Sequence, residues 1–104
     1  MKKRRLVFSD AALADILEQA DWYTAQSGRR LARQWEKAVT ATVSKAARHP
    51  ATGSPCEFTL PALRGVRRTI VSGFPKHLLF YNFDDDEIFI LRVLHGARDL
   101  ERLF

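Results

Sequence analysis

The chain holds a single cysteine, Cys56, among 104 residues. No internal disulfide can form, no thiolate cluster can bind a metal, and nothing in the composition points to secretion. Its five glycines are scattered, so no glycine-rich loop is available to cradle phosphate. The G-x-S-x-G and H-E-x-x-H patterns of nucleophile elbows and zinc helices are absent as well. The segment Met1–Arg5 is positive, but the apolar stretch behind it stops at Ser9 and Asp10, short of the core of a signal peptide. No stretch approaches the roughly 20 apolar residues of a membrane span. These absences leave a soluble, cytoplasmic protein without metal, cofactor or membrane partner as the expectation. One domain over residues 1–104 is expected, because this length suffices for one core and is too short for two.

Positive charge is what the chain has in excess: 17 Lys and Arg against 12 Asp and Glu give a formal +5. Such a domain is attracted to nucleic acid, to an anionic surface or to an acidic protein, and the sign alone does not choose among them. Arg29, Arg30, Arg33, Lys37, Lys45 and Arg48 fall in one stretch, where they read as the solvated face of a helix.

Residues 3 to 8 read as a short strand, closed by Ser9 and Asp10, both good helix N-caps. Behind them Leu13, Ile16, Leu17 and Ala20, with Tyr23 or Thr24, recur at helical spacing and give one apolar face over about four turns. Ser27-Gly28 interrupts the pattern. Leu31, Trp35, Ala38, Val39, Thr42 and Ala46 then form a second stripe, ended by His49-Pro50, since a residue before proline avoids the helical region. The short connection predicts an antiparallel helical hairpin. Apolar runs return at 58–60, 66–71, 77–83 and 87–94, the last two flanking the acidic turn Asp84-Asp85-Asp86 and reading as a buried strand pair. Strands joined by tight turns pair antiparallel, whereas the first strand, cut off by both helices, can enter beside a distant strand and run parallel to it. The expectation is an α+β fold of order β-α-α-β-β-β, with the helical hairpin packed on one face of a small, mainly antiparallel sheet. A short helix over 99–104, folding Leu100, Leu103 and Phe104 back onto the body, is a further candidate.

The chemistry-bearing residues left on these strands or at their ends are Arg64, Arg67, Arg68, His77, Tyr81, Arg92, His95 and Arg98. Arginines can grip phosphates bidentately and a histidine can move protons near neutral pH, so such a set could cut RNA through its 2′-hydroxyl. Each has a structural alternative: Tyr81 in an apolar run suits a core with its hydroxyl satisfied at the edge, and His95 before Gly96 suits a turn. His49 and Cys56 are two potential ligands and make no metal site, while Asp84, Asp85, Asp86 and Glu87 lack the ligand spacing of a calcium loop and read as a solvated hairpin tip.

The string Gly73-Phe74-Pro75-Lys76-His77-Leu78-Leu79-Phe80-Tyr81, the acidic turn, and the run from Ile88 to Arg92-Val93-Leu94-His95-Gly96-Ala97-Arg98-Asp99 resemble the C-terminal signature of the ParE/RelE superfamily. These are toxins of bacterial type II toxin–antitoxin systems. The N-terminal half agrees at the level of pattern, with a strand ending in Phe8-Ser9 and an Ala-rich amphipathic helix carrying Asp15 and Trp22-Tyr23. The fold this resemblance implies is the one the periodicities suggest. RelE-like members cut messenger RNA on the ribosome, using basic residues of the central strands and commonly an aromatic acid/base near the C-terminus. ParE-like members poison DNA gyrase by stabilising a cleaved complex and catalyse nothing themselves.

Two departures from the RelE-like pattern matter. His77 stands where an arginine is usual, in the Phe-Pro-x-His form similar to ParE, and the chain ends Leu103-Phe104, where phenylalanine cannot transfer a proton. The resemblance therefore implies a growth inhibitor acting on gyrase through a binding surface that includes Arg67, Tyr81, Arg98, Leu103 and Phe104, with no catalytic residue. The alternative is a ribosome-dependent endoribonuclease using Arg64, Arg68, His77, Arg92 and His95. A third reading is a non-toxic relative that binds only its partner and regulates transcription as a complex. All three imply a cognate antitoxin, acidic and folding as it binds, which suits a domain of charge +5. If the protein acts by binding, His77→Ala is expected to leave toxicity almost unchanged.

Overall fold

The computed structural model describes residues 4–96 and Phe104. The elements follow the expected β-α-α-β-β-β order with one further short strand after the helices: β1 (Arg5–Phe8), α1 (Asp10–Ser27), α2 (Arg29–Arg48), β2 (Ser54–Pro55), β3 (Arg67–Val71), β4 (Phe74–Phe83) and β5 (Glu87–His95), with single 3-10 turns at Pro50–Thr52 and Pro61–Leu63. Ser9 starts α1 as the sequence predicts. Its hydroxyl accepts the Ala12 N–H at 2.9 Å and donates to the Leu91 carbonyl at 2.7 Å, so one side chain caps the helix and ties it to β5. Gly28 both ends α1 and begins α2; its φ of 89° lies in the region glycine alone enters freely, which lets the chain reverse within a single residue.

The sheet has five strands in the order β1-β5-β4-β3-β2. β1 runs parallel to β5, pairing Arg5–Phe8 with Glu87–Ile90, and every other pair is antiparallel. The hairpin of β4 and β5 closes through the acidic turn, where Asp84 Oδ1 accepts the N–H groups of Asp86 and Glu87, both at 2.8 Å. The run 58–60, expected as a strand, is not one. The strand lies earlier, at Ser54–Pro55, and Phe58 turns inward to stack on Phe80. Apolar spacing could not separate these, because both a strand and a loop that plugs a core bury alternate residues.

Both helices lie on one face of the sheet. The larger core joins Trp35, Val39, Val43, Ala46 and Ala47 of α2 and Ala12 and Ala20 of α1 to Val71, Leu79, Tyr81, Ile88, Ile90 and Val93 of the strands. A smaller cluster on the opposite face centres on Val66 and Phe80, with Cys56, Phe58, Leu63 and Phe104 packed against it. The stripe of α2 is as expected, deepened by Ala32, Val43 and Ala47. That of α1 is rotated: Ala12, Ile16, Ala20 and Tyr23 face the core, whereas Leu13 and Leu17 are 47 % and 64 % exposed. Small alanines let the helix sit close to the sheet, and this outweighs the burial of larger leucines one position on. The candidate C-terminal helix at 99–104 falls outside the described residues except for Phe104. That ring does fold back, with its centroid 5.3 Å from both Phe58 and Phe80.

Candidate functional site

Side chains of successive strand residues alternate between faces, and this decides which candidate groups can meet. Leu78 and Phe80 lie on the face opposite the helices, and their cross-strand partners are Ile70 and Leu94, and Arg68 and Arg92. His77, Leu79 and Tyr81 lie beneath the helices. The residues expected to form a nuclease centre are thus divided by the sheet itself.

His77 is 2 % exposed. Its Nε2 is 2.8 Å from the Tyr23 hydroxyl, and it is ringed by Tyr23, Trp35, Phe74 and His95, the last with centroids 4.8 Å apart. Burial, and then the neighbouring His95, push its pKa down to about 4, so the ring is neutral at physiological pH. A buried, neutral imidazole bonded to a tyrosine is a core group, and His77→Ala would leave a cavity there. Toxicity lost in that variant would therefore not report on proton transfer, contrary to the expectation from sequence. Nearby, the buried Trp35 Nε1 has no acceptor among the described residues.

Arg92 does not offer a free fork to phosphate. Its Nε and Nη2 donate to the two carboxylate oxygens of Asp15 at 2.7 and 2.8 Å, and Asp15 Oδ2 also accepts the Val93 N–H at 3.0 Å. That bidentate bond raises the Arg92 pKa further. Asp15 thus does for β5 what a neighbouring strand would do, since β1 ends opposite Ile90. His95 is exposed at the end of β5, beside a groove of about 440 Å3 whose lining includes Asp15, Glu18 and Trp22. Acidic walls repel a phosphate backbone.

Tyr81, expected on a binding surface, is 1 % exposed and cannot touch a partner. Its hydroxyl donates to the Pro50 carbonyl at 2.6 Å and accepts the Gly53 N–H at 3.1 Å, and burial pushes its pKa up. Arg67 Nη1 is drawn to the same turn, donating to the Gly53 carbonyl at 2.6 Å and to that of Ala51 at 3.3 Å. Arg64 and Arg68 are exposed. Phe104 is half-buried, and Arg98 and Leu103 lie outside the described residues. The roles of Asp15 and Tyr23 as partners of Arg92 and His77 were not read from the sequence. The one signal was an acidic residue bordering the apolar stripe of α1.

The described residues hold no group of three side chains that could bind a metal, and none of their helices is long and apolar enough to cross a membrane. What the geometry presents is a sheet with one face covered by the helices and one partly open face, with His77 on the covered side and Arg68 on the other. This fold is shared with toxins of type II toxin–antitoxin systems. The chromosomal ParDE system of P. aeruginosa superposes with a TM-score of 0.73 at 20% sequence identity, covering 91% of this chain and 98% of that one. The YoeB dimer of Staphylococcus aureus gives 0.62 at 16% identity, covering 92% and 100%. The YoeB–YefM complex of the same organism gives 0.55 at 17% identity, again covering 92% and 100%. No curated protein matches in sequence. Residues 6–100 match the family described as the ParE toxin of type II toxin–antitoxin systems, parDE, and the chain belongs to that family.

Proposed function

We propose that this toxin inhibits growth by binding DNA gyrase and trapping its cleaved complex, and that a cognate antitoxin holds it silent. The observation that carries this reading is the division of the candidate catalytic groups. His77 lies buried and neutral beneath α1 and α2, Arg92 is held by Asp15, and Arg64 and Arg68 stand exposed, Arg68 on the sheet face opposite His77. Cleavage through a 2′-hydroxyl needs a base and an acid converging on one phosphate, whereas inhibition by binding needs only a surface. The half-buried Phe104 and the exposed Arg64 and Arg68 supply candidates for that surface. An antitoxin partner is supported by family membership and by similarity to systems solved as toxin–antitoxin complexes.

Expression of the chain without its partner tests the proposal. Purified gyrase should lose supercoiling activity and accumulate cleaved DNA, while messenger RNA in translating ribosomes stays intact. Unaffected gyrase with cut message would overturn it in favour of the endoribonuclease built on Arg64, Arg68, His77, Arg92 and His95. Neither effect would point to a relative that works only within its antitoxin complex.

A further inference from the structure

The two edges of the sheet are finished differently. On one side β1 covers β5 as far as Ile90, and beyond it the Asp15 carboxylate takes the Val93 N–H. On the other side β2 pairs only Ser54 with Arg68 and Pro55 with Arg67, and the chain before it then leaves the sheet. The cause is the turn at Pro50–Gly53, which is drawn under the helix face: the Gly53 N–H is taken by the Tyr81 hydroxyl and the Gly53 carbonyl by Arg67. Neither Gly53 group is left for β3.

Strand alternation shows what is left open. The Val66 carbonyl faces outward to the Cys56 N–H at 2.9 Å, so the N–H and C=O of Ile70, four residues on, face outward too, past the end of β2. At the far end the Ser72 N–H is capped by the Thr42 hydroxyl at 3.0 Å. The gap is about 10 Å of bare edge, the length of Thr69–Val71. Ile70 in its middle is 53 % exposed. Bare edges with apolar side chains are an aggregation hazard that proteins normally blunt.

Grooves flank the open edge on both faces of the sheet. The one toward the helices, about 560 Å3, is bordered by Lys45 and Arg48 of α2 and by Thr69 and Ile70. The one on the opposite face, about 450 Å3, is bordered by Arg68, Ile70 and Leu78. Among the described residues, no acidic side chain lines either groove. A second copy of this chain, pairing edge to edge, would bring Lys45, Arg48 and Arg68 against their own equivalents, which like-charge repulsion disfavours.

We propose that the open edge of β3 at Ile70, ringed by Lys45, Arg48 and Arg68, receives an extended acidic and apolar segment of the antitoxin as an added strand. The proposal rests on the antitoxin reading above. Such a segment exchanges both backbone hydrogen bonds with Ile70 and sends alternate side chains to the two grooves, carboxylates meeting the cations and an apolar residue meeting Ile70 and Leu78. Backbone pairing supplies the register and the cations supply the choice of partner.

The test uses the antitoxin encoded beside this chain, purified alone and titrated against the whole toxin. The outward amide of Ile70, within the bare stretch 69–71, should exchange at least tenfold more slowly in the complex. Ile70→Pro, which removes the outward N–H, should weaken binding about fivefold, the equivalent of one ordinary hydrogen bond. Lys45→Glu with Arg48→Glu should weaken it tenfold or more, with the deficit shrinking at high salt. Both variants should still poison gyrase, which separates this edge from the toxic surface. If Ile70→Pro fails to fold by circular dichroism, the charge variant and the amide exchange decide. Full affinity in the charge variant with an unprotected Ile70 amide overturns the edge assignment alone. Wild-type toxin that leaves gyrase untouched overturns the functional reading without touching the edge result, and an antitoxin that does not bind at all overturns both. Protection of the Ile70 amide by single-stranded RNA instead of the antitoxin assigns the edge to nucleic acid and likewise overturns the proposal.

Discussion

Tyr81→Phe removes one oxygen atom and should cost more than its size suggests. The hydroxyl satisfies two backbone groups at once, accepting from Gly53 N–H and donating to Pro50 C=O, in a site where Tyr81 is 1 % exposed. Each unpaired buried group costs on the order of 1–3 kcal/mol, and partial rehydration at the turn recovers some of this, so about 2–3 kcal/mol of stability should be lost. For a domain of this size that lowers Tm by roughly 10–15 °C. Gly53 offers an internal control. A Cβ there would lie 2.1 Å from the Tyr81 oxygen and 2.8 Å from Cζ, so Gly53→Ala must push the ring away. With the oxygen already gone, part of that clash disappears, and the double variant should cost about 1 kcal/mol less than the sum of the two. Urea denaturation followed by far-ultraviolet circular dichroism measures all four proteins. A loss under about 0.5 kcal/mol in Tyr81→Phe, or strictly additive variants, would refute the pinning of the turn and with it the reason β2 stops at Ser54.

Asp15→Ala should destabilise the protein by about 2–3 kcal/mol, because it removes the bidentate carboxylate from the half-buried Arg92 and the acceptor of the Val93 N–H; Asp15→Asn should cost less, and thermal melts of the two rank them. His77 makes stability depend on pH. Its folded pKa of about 4 lies below the unfolded 6.5, so the unfolded chain takes up a proton first, and the contribution is whole above pH 6.5 and lost as pH falls toward 4. About 3 kcal/mol is at stake, and this fall across the window should be missing from His77→Gln, whose side chain does not titrate. Leu17→Gln, at a position 64 % exposed, should change stability by less than about 0.5 kcal/mol; a larger loss in urea would restore Leu17 to the core face.

Much of the fold was legible from residue spacing. The cap at Ser9, the break at Ser27-Gly28, the stop at His49-Pro50 and the acidic turn at 84–86 are local chemistry, decided by groups within a few residues of one another. The parallel entry of β1 beside β5 followed from connectivity, since two helices intervene before the next strand. The family was legible too, because Gly73–Asp99 carries its signature in consecutive residues.

The site was not legible in the same way, because a list of charged residues does not say which face of a sheet each one reaches. His77 and Arg68 looked like members of one cluster, but the pleat sends them to opposite sides, and burial beneath Tyr23 and Trp35 removes the histidine from any substrate. Tyr81 lies in the core with its hydroxyl satisfied, as its apolar run suggested, and not on the binding surface to which it was also assigned. Asp15 gained its role only through the packing of α1 on β5, across 77 positions of sequence. The sequence by itself determined the elements, their order and the family, since periodicity and capping act over short range. Only the tertiary structure decided that Asp15 holds Arg92, where Tyr81 pins the turn before β2, and that a carboxylate caps β5 beyond β1 while β3 runs on past β2 among basic side chains. Those are contacts between residues distant in the chain, and no local spacing encodes them.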